Sequence, residues 1–203
     1  MPNSKIINNS DMGNNLFRSF FAIPISHDCR QAIYNIVLEL KKDLPSVIRW
    51  VNTDNLHVTL KFLGKFKSQN ISQIYEIIEP ALSSISQFDL KFKNLGVFPN
   101  EQKPNVVWAG MDYPNELTKI YQEIENASLE LGYPKEERGF SPHVTIGRVK
   151  IDSSDIYKLG ALLKNKMVGE ICQSHVDRVI FYQSTLTSTG PVYSELFHLP
   201  LLR

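Results

Sequence analysis

Two histidines stand in nearly identical surroundings. His57-Val58-Thr59-Leu60 and His143-Val144-Thr145-Ile146 both read histidine, valine, threonine, aliphatic. Both lie in short β-branched runs of the kind that form strands. Side chains alternate faces along a strand, so His57 and Thr59 share one surface while Val58 and Leu60 share the other. The same holds for His143 and Thr145 against Val144 and Ile146. Each copy thus offers an imidazole beside a hydroxyl and sends two apolar groups to a core. Two imidazoles of near-neutral pKa can divide acid and base duties at neutral pH. Two hydroxyls can bind the oxygens of an anion and stabilise charge there. No serine or cysteine nucleophile is marked by a motif, so direct attack by water is the economical chemistry. A strained cyclic phosphodiester suits such a site, because its ring opens without further distortion.

The neighbours of the two motifs carry open alternatives. Arg148 lies five residues past His143, and strict alternation sends it to the opposite face. Gly147 permits a bulge that would turn it back toward the histidine, where it would bind phosphate with Thr59 and Thr145. Lys61 has the parity to join His57 and Thr59, or it is a solvated strand-end lysine. Phe20, Phe140 and Trp50 are aromatic rings able to stack on a base, or core residues. His27, His175 and His198 read as structural or surface residues. No Asp, Glu or Cys lies at short ligand spacing from either motif, so neither a metal site nor a cofactor is expected. The stretch Gly64 to Ser68 lacks the spacing of a phosphate loop.

The elements that must hold these groups follow from periodicity. Phe17 to Ile25 reads as a buried strand. Ser26 caps a helix reaching about Leu44, with Asp28 in its first turn and Ile33, Ile36, Val37, Leu40 and Leu44 on its apolar stripe. Ile48 to Val51 is a short strand, followed by a turn and the first motif strand. A second helix starts at Ser68 or Asn70, with Pro80 inside it as a kink or stop. Strands at Phe88 to Val97 and Asn105 to Met111 come next, then a helix from Asn115 to Leu131 capped by Gly132. The second motif strand, a short helix at 154–166 and the stretch Cys172 to Ser184 complete the order. The last stretch forms a hairpin with Val192 to Leu199. Mixed elements with hairpin neighbours indicate an α+β fold of mainly antiparallel sheet. Each motif strand follows a long amphipathic helix, and the motifs stand 86 residues apart. That pattern suggests two pseudo-symmetric lobes facing each other across a central cleft.

The totals set outer bounds. The 203 residues suit one bilobal domain over 16–203, preceded by a polar leader over 1–15. Lys and Arg total 22 against 21 Asp and Glu, a net charge of +1, which does not announce a nucleic-acid binder. Cys29 and Cys172 are the only cysteines, far apart in sequence, and fit free thiols in a reducing cytoplasm better than a disulfide. No apolar run approaches a membrane span.

Five stretches together carry a family resemblance: FRSFFAIPI, RWVNTDNLHVTLKFLG, LGVFPNEQKPNVVWAG, RGFSPHVTIGRV and VIFYQSTLTSTGPVY. The chain resembles the two-histidine (2H) phosphoesterases, and within them the RNA 2′,3′-cyclic phosphodiesterases. The paired H-x-T-x motifs define the superfamily, and the flanking stretches point to the RNA branch. The resemblance implies a bilobal α+β fold and hydrolysis of an RNA 2′,3′-cyclic phosphate end to a 2′-phosphomonoester. It implies His57 as general acid, His143 as general base, and Thr59, Thr145 and Arg148 around the phosphate. No metal or other cofactor is implied. Some members also join RNA halves, such as tRNA halves, through a 2′–5′ linkage. A monomer acting on RNA ends is the expected state. Small cyclic nucleotides, ADP-ribose cyclic phosphate, or a non-catalytic RNA-binding role remain the alternatives.

Overall fold

The computed structural model describes residues 15–43, 48–150, 159 and 169–203. Most of the leader and most of the expected helix at 154–166 lie outside these residues, as does Leu44. Leu159 is described, and it is helical and fully buried.

The chain runs β1 (Leu16–Pro24), α1 (His27–Asp43), β2 (Ile48–Trp50), β3 (His57–Lys67), α2 (Ile71–Leu82), β4 (Phe88–Phe98) and β5 (Val106–Asp112). It continues with α3 (Asn115–Glu130), β6 (Val144–Val149), β7 (Glu170–Val176), β8 (Arg178–Thr187) and β9 (Gly190–Pro200). The strands form one sheet in the order β7-β4-β5-β6-β3-β1-β8-β9, with β2 also paired to β6. All of these pairings are antiparallel. The two lobes are the two halves of this sheet, and the motif strands β3 and β6 meet at its centre.

They meet through one residue pair, Val58 opposite Val144. Both valines are fully buried. Beyond that point the strands diverge, and β2 fills the wedge beside β6. The halves are interlaced. Strand β4 follows the first motif in sequence but pairs with β5 of the other half, while β8 returns to β1.

The helices obey their local signals. Ser26 Oγ accepts from the backbone N–H of Cys29, and Asp28 occupies the first turn of α1. Pro80 is tolerated near the end of α2, which stops two residues later. Gly132, at φ +83°, ends α3 while its N–H donates to the Leu129 carbonyl.

Three expectations need correction. The stretch from Cys172 to Ser184 is broken at Asp177, and its two parts serve opposite lobes: β7 pairs with β4, β8 with β1. The cysteines are joined in a disulfide. Helix α1 packs on β7, which brings the two Cα atoms to 5.4 Å, within the span of a disulfide. The compartment reading drawn from free thiols loses that support. Lys61 joins neither the cleft nor the solvent, because β3 carries a bulge. Ala22 pairs with Thr59 and Phe21 with Lys61, leaving Leu60 extra and inverting the faces of Lys61, Phe62 and Leu63, before a second shift at Leu63. Lys61 is therefore buried. Its ammonium donates to Glu125 Oε1 of α3 and to the Pro134 carbonyl, both at 2.8 Å. Glu125 Oε2 accepts from the Glu136 N–H, so one ion pair ties β3, α3 and the following loop together.

Removing one partner of this pair strands the other charge in the core. Lys61→Met is expected to destabilise the fold by on the order of 3–5 kcal/mol in a denaturant titration. The double substitution Lys61→Met with Glu125→Leu should recover most of that loss. An Lys61→Met variant as stable as the parent would show that the pair is not buried in solution.

Candidate active site

The four motif groups gather around the Val58–Val144 contact. Extending that antiparallel register by one residue each way sets His57 toward Thr145 and His143 toward Thr59. Strand alternation keeps all four on one face, and the valines turn inward.

Both imidazoles are held the same way. His57 Nδ1 is 2.7 Å from the carbonyl of Asn55, and His143 Nδ1 is 2.8 Å from that of Ser141. A carbonyl only accepts, so each Nδ1 carries the hydrogen and each Nε2 presents a lone pair when neutral. In both cases the carbonyl lies two residues before the histidine. Thr59 Oγ1 sits 3.0 Å from His57 Nε2 and donates to it.

Their environments differ. His57 rests on Phe20 at 5.0 Å between ring centroids and meets the edge of Tyr193 at 5.4 Å. Burial pushes its pKa down to about 4, and the positive charge of His143 adds to that, against the opposing hydrogen bond to Asn55. His143 packs edge-on with Phe98 at 5.0 Å. Its pKa is also lowered, by burial first and then by Arg148, while its bond to Ser141 opposes the shift.

Arg148 comes to the face of His143 and Thr145 through a bulge. Trp108 pairs with Thr145 and Val107 with Gly147, so Ile146 is extra and the faces invert at Gly147. A Cβ at 147 would collide with Ile48 and Trp50, so glycine is required there. The two motif strands thus bulge at the same offset, three and four residues past each histidine. At the fifth residue the chain returns to the cleft face. That residue is Arg148 in one strand and Phe62 in the other.

These features match a known family over most of the chain. The model of the LigT-like phosphoesterases fits residues 23–108 and 111–193. The chain belongs to the LigT-like phosphoesterase family. A Thermotoga maritima protein named RNA 2′,3′-cyclic phosphodiesterase is 34% identical over 180 residues, covering 89% of this chain and 93% of its own. One of the same name from Methanocaldococcus jannaschii is 35% identical over 178 residues, covering 87% and 96%. The crystal structure of Escherichia coli LigT in its apo form superposes with a TM-score of 0.73 at 22% identity, covering 94% of this chain and all of that one.

In this LigT-like phosphoesterase the aromatic expectations need revision. Phe20 is only 1% exposed, enclosed by His57, Phe62, Tyr182 and Tyr193. It has no open face for a base and serves as the floor under His57. Phe140 lies flat on Tyr121 at 4.1 Å, so one of its faces is covered. Trp50 covers Gly147 from the core side. The open ring is Phe62, which is 59% exposed and rests against Phe20. Phe62, Tyr193, Phe98 and the two carbonyl acceptors are absent from the sequence reading. Only the shared offset of Asn55 and Ser141 from their histidines signals any of them. Among the described residues, no three His, Cys, Asp or Glu side chains cluster as a metal site would need.

The depressed pKa of His57 sets a stability window. An unfolded imidazole binds its proton near 6.5, the folded one only near 4. Between those values the unfolded chain holds more protons, so stability falls as pH drops from 6.5 to 4 and is complete above 6.5. The contribution has an upper bound of about 3 kcal/mol, and solvent reaching the ring reduces it. Denaturant titrations of the parent and His57→Asn across this range should show the parent losing stability more steeply. Equal slopes would contradict a buried neutral His57.

Proposed function

We propose that this chain is an RNA 2′,3′-cyclic phosphodiesterase that opens the terminal cyclic phosphate to a 2′-phosphomonoester by imidazole acid–base catalysis. The observation carrying this reading is the matched pair of imidazoles, each with its Nδ1–H on the carbonyl two residues back and a lone pair left on Nε2, where Thr59 donates to that of His57.

The reaction needs one proton taken and one given. His143 Nε2 accepts the proton of a water molecule whose oxygen attacks phosphorus. The P–O3′ bond breaks, and His57 Nε2–H protonates the departing oxygen. The more open setting of His143 suits the group that must meet water, and the enclosed setting of His57 suits the leaving oxygen. The His57 proton is supplied on binding, since an anion beside the ring offsets the burial that lowers its pKa. Thr59, Thr145 and Arg148 donate to the non-bridging oxygens as charge grows there. The open face of Phe62 takes the terminal base. A 5′-hydroxyl in the place of water would run the same chemistry as 2′–5′ ligation. No step is assigned to a metal ion.

The test is hydrolysis of an oligoribonucleotide ending in a 2′,3′-cyclic phosphate, in excess EDTA, with the product isomer identified. A 2′-phosphate formed in EDTA is expected. His57→Ala and His143→Ala should each lower turnover by at least roughly 10²-fold while leaving the circular dichroism spectrum unchanged. Thr59→Ala and Thr145→Ala should cost less, ~1.5–3 kcal/mol of transition-state stabilisation. A folded His57→Ala variant with full activity would overturn the mechanism, and a 3′-phosphate product would overturn the choice of leaving oxygen. Turnover of small cyclic nucleotides alone would move the substrate to that class.

A further inference from the structure

Strand β2 has three residues, and two of them face the core. Ile48 is buried, and Ile48 and Trp50 both lie where a side chain at Gly147 would project. The middle residue, Arg49, therefore points to the opposite, cleft face and is exposed. The register sets it directly across from Arg148. Side chains so opposed are rooted about 5 Å apart, and like charges there repel. Among the described residues, no carboxylate forms an ion pair with either arginine. The pairing is also firmly fixed: Ile48 meets Val149, Trp50 meets Gly147, and the Val51 N–H donates to the Ile146 carbonyl at 3.0 Å. A rigid strand thus holds two unneutralised guanidinium groups side by side on the rim of the cleft. Such a pair attracts an anion between or along it.

The two arginines have different neighbours. Arg148 is the cation that depresses His143, and Tyr193, which touches His57, feels it too. In the reaction proposed above it already serves the phosphate being cleaved. Arg49 stands one strand further from β5 than Arg148, exposed and able to meet a second phosphate of the same strand. We propose that Arg49 binds the phosphate preceding the terminal nucleotide and so makes the enzyme prefer an RNA end over a cyclic mononucleotide. This rests on the activity proposed above and names its substrate class.

The experiment compares kcat/KM for a nucleoside 2′,3′-cyclic phosphate with that for a short oligoribonucleotide ending in the same group. It uses the parent, Arg49→Gln, Arg49→Lys and Arg148→Gln over a range of salt. The oligonucleotide-to-mononucleotide ratio is expected to fall roughly tenfold in Arg49→Gln, with partial recovery in Arg49→Lys. The salt dependence of the oligonucleotide reaction should weaken by about 0.7 in log–log slope, the loss of one contact to a single strand. Arg148→Gln should depress both substrates together. A ratio unchanged in Arg49→Gln, or both substrates falling equally, overturns the assignment. So does a ratio that responds to Arg18→Gln instead, since Arg18 lies on the opposite lobe beside Tyr193. If the parent opens neither substrate, the activity itself is wrong and this subsite falls with it. Mononucleotide turnover with no oligonucleotide preference rejects the subsite alone.

Discussion

The structure depends on the contact between two valines. Val58 and Val144 form the one paired position between β3 and β6, and both are sealed from solvent. Because the strands touch there and then part, the flanking residues of both are forced onto the same face at close range. The two halves are related about this point. A slip of either strand by one residue would send its histidine into the core and its valine into water. The many buried side chains on the other face of the sheet make such a slip expensive, so the core holds the site in register.

Around that point the symmetry is close in the backbone and loose in the side chains. Each histidine uses a carbonyl at the same offset, and each strand bulges at the same offset beyond it. What the bulges deliver differs. On one strand the core position is Lys61 and the returning residue Phe62. On the other they are Gly147 and Arg148. The duplicated frame thus presents an aromatic platform on one side and a cation on the other, which suits a ligand with a base at one end and a phosphate at the other.

Much of this was legible in the sequence, and the gaps have physical causes. The motif residues, the strand and helix order and the α+β class follow from period and capping, which are local. Arg148 was readable only as an alternative, because a bulge is signalled weakly by one glycine. In β3 the equivalent bulge has no glycine at all, so parity gave Lys61 the wrong face and hid Phe62. Phe20 is aromatic and next to the site, but only the packing of β8 and β9 over it decides that it is buried. The Cys29–Cys172 bond joins an early helix to a late strand across 143 positions, a distance that spacing rules do not address. The break at Asp177 sends two adjacent stretches to opposite lobes, and that is a property of topology rather than of composition.

The electrostatics of the cleft bear on how two copies of one motif could take different roles. Burial, a neighbouring imidazole and an uncompensated arginine all push in one direction, against protons on the histidines. An anion entering the cleft acts in the other direction, because its charge favours the protonated form of a ring beside it. His57, drawn down to about 4, is a strong acid once it holds a proton. In the proposed reaction this makes His57 an acid that is charged by its own substrate and stays neutral without it. His143 is half-exposed, so it is the ring that an attacking water can reach. The division of labour between two copies of one motif therefore need not be written in the motif. What differs between the copies is what the rest of the fold stacks against each ring: Phe20 and Tyr193 on one side, the edge of Phe98 on the other.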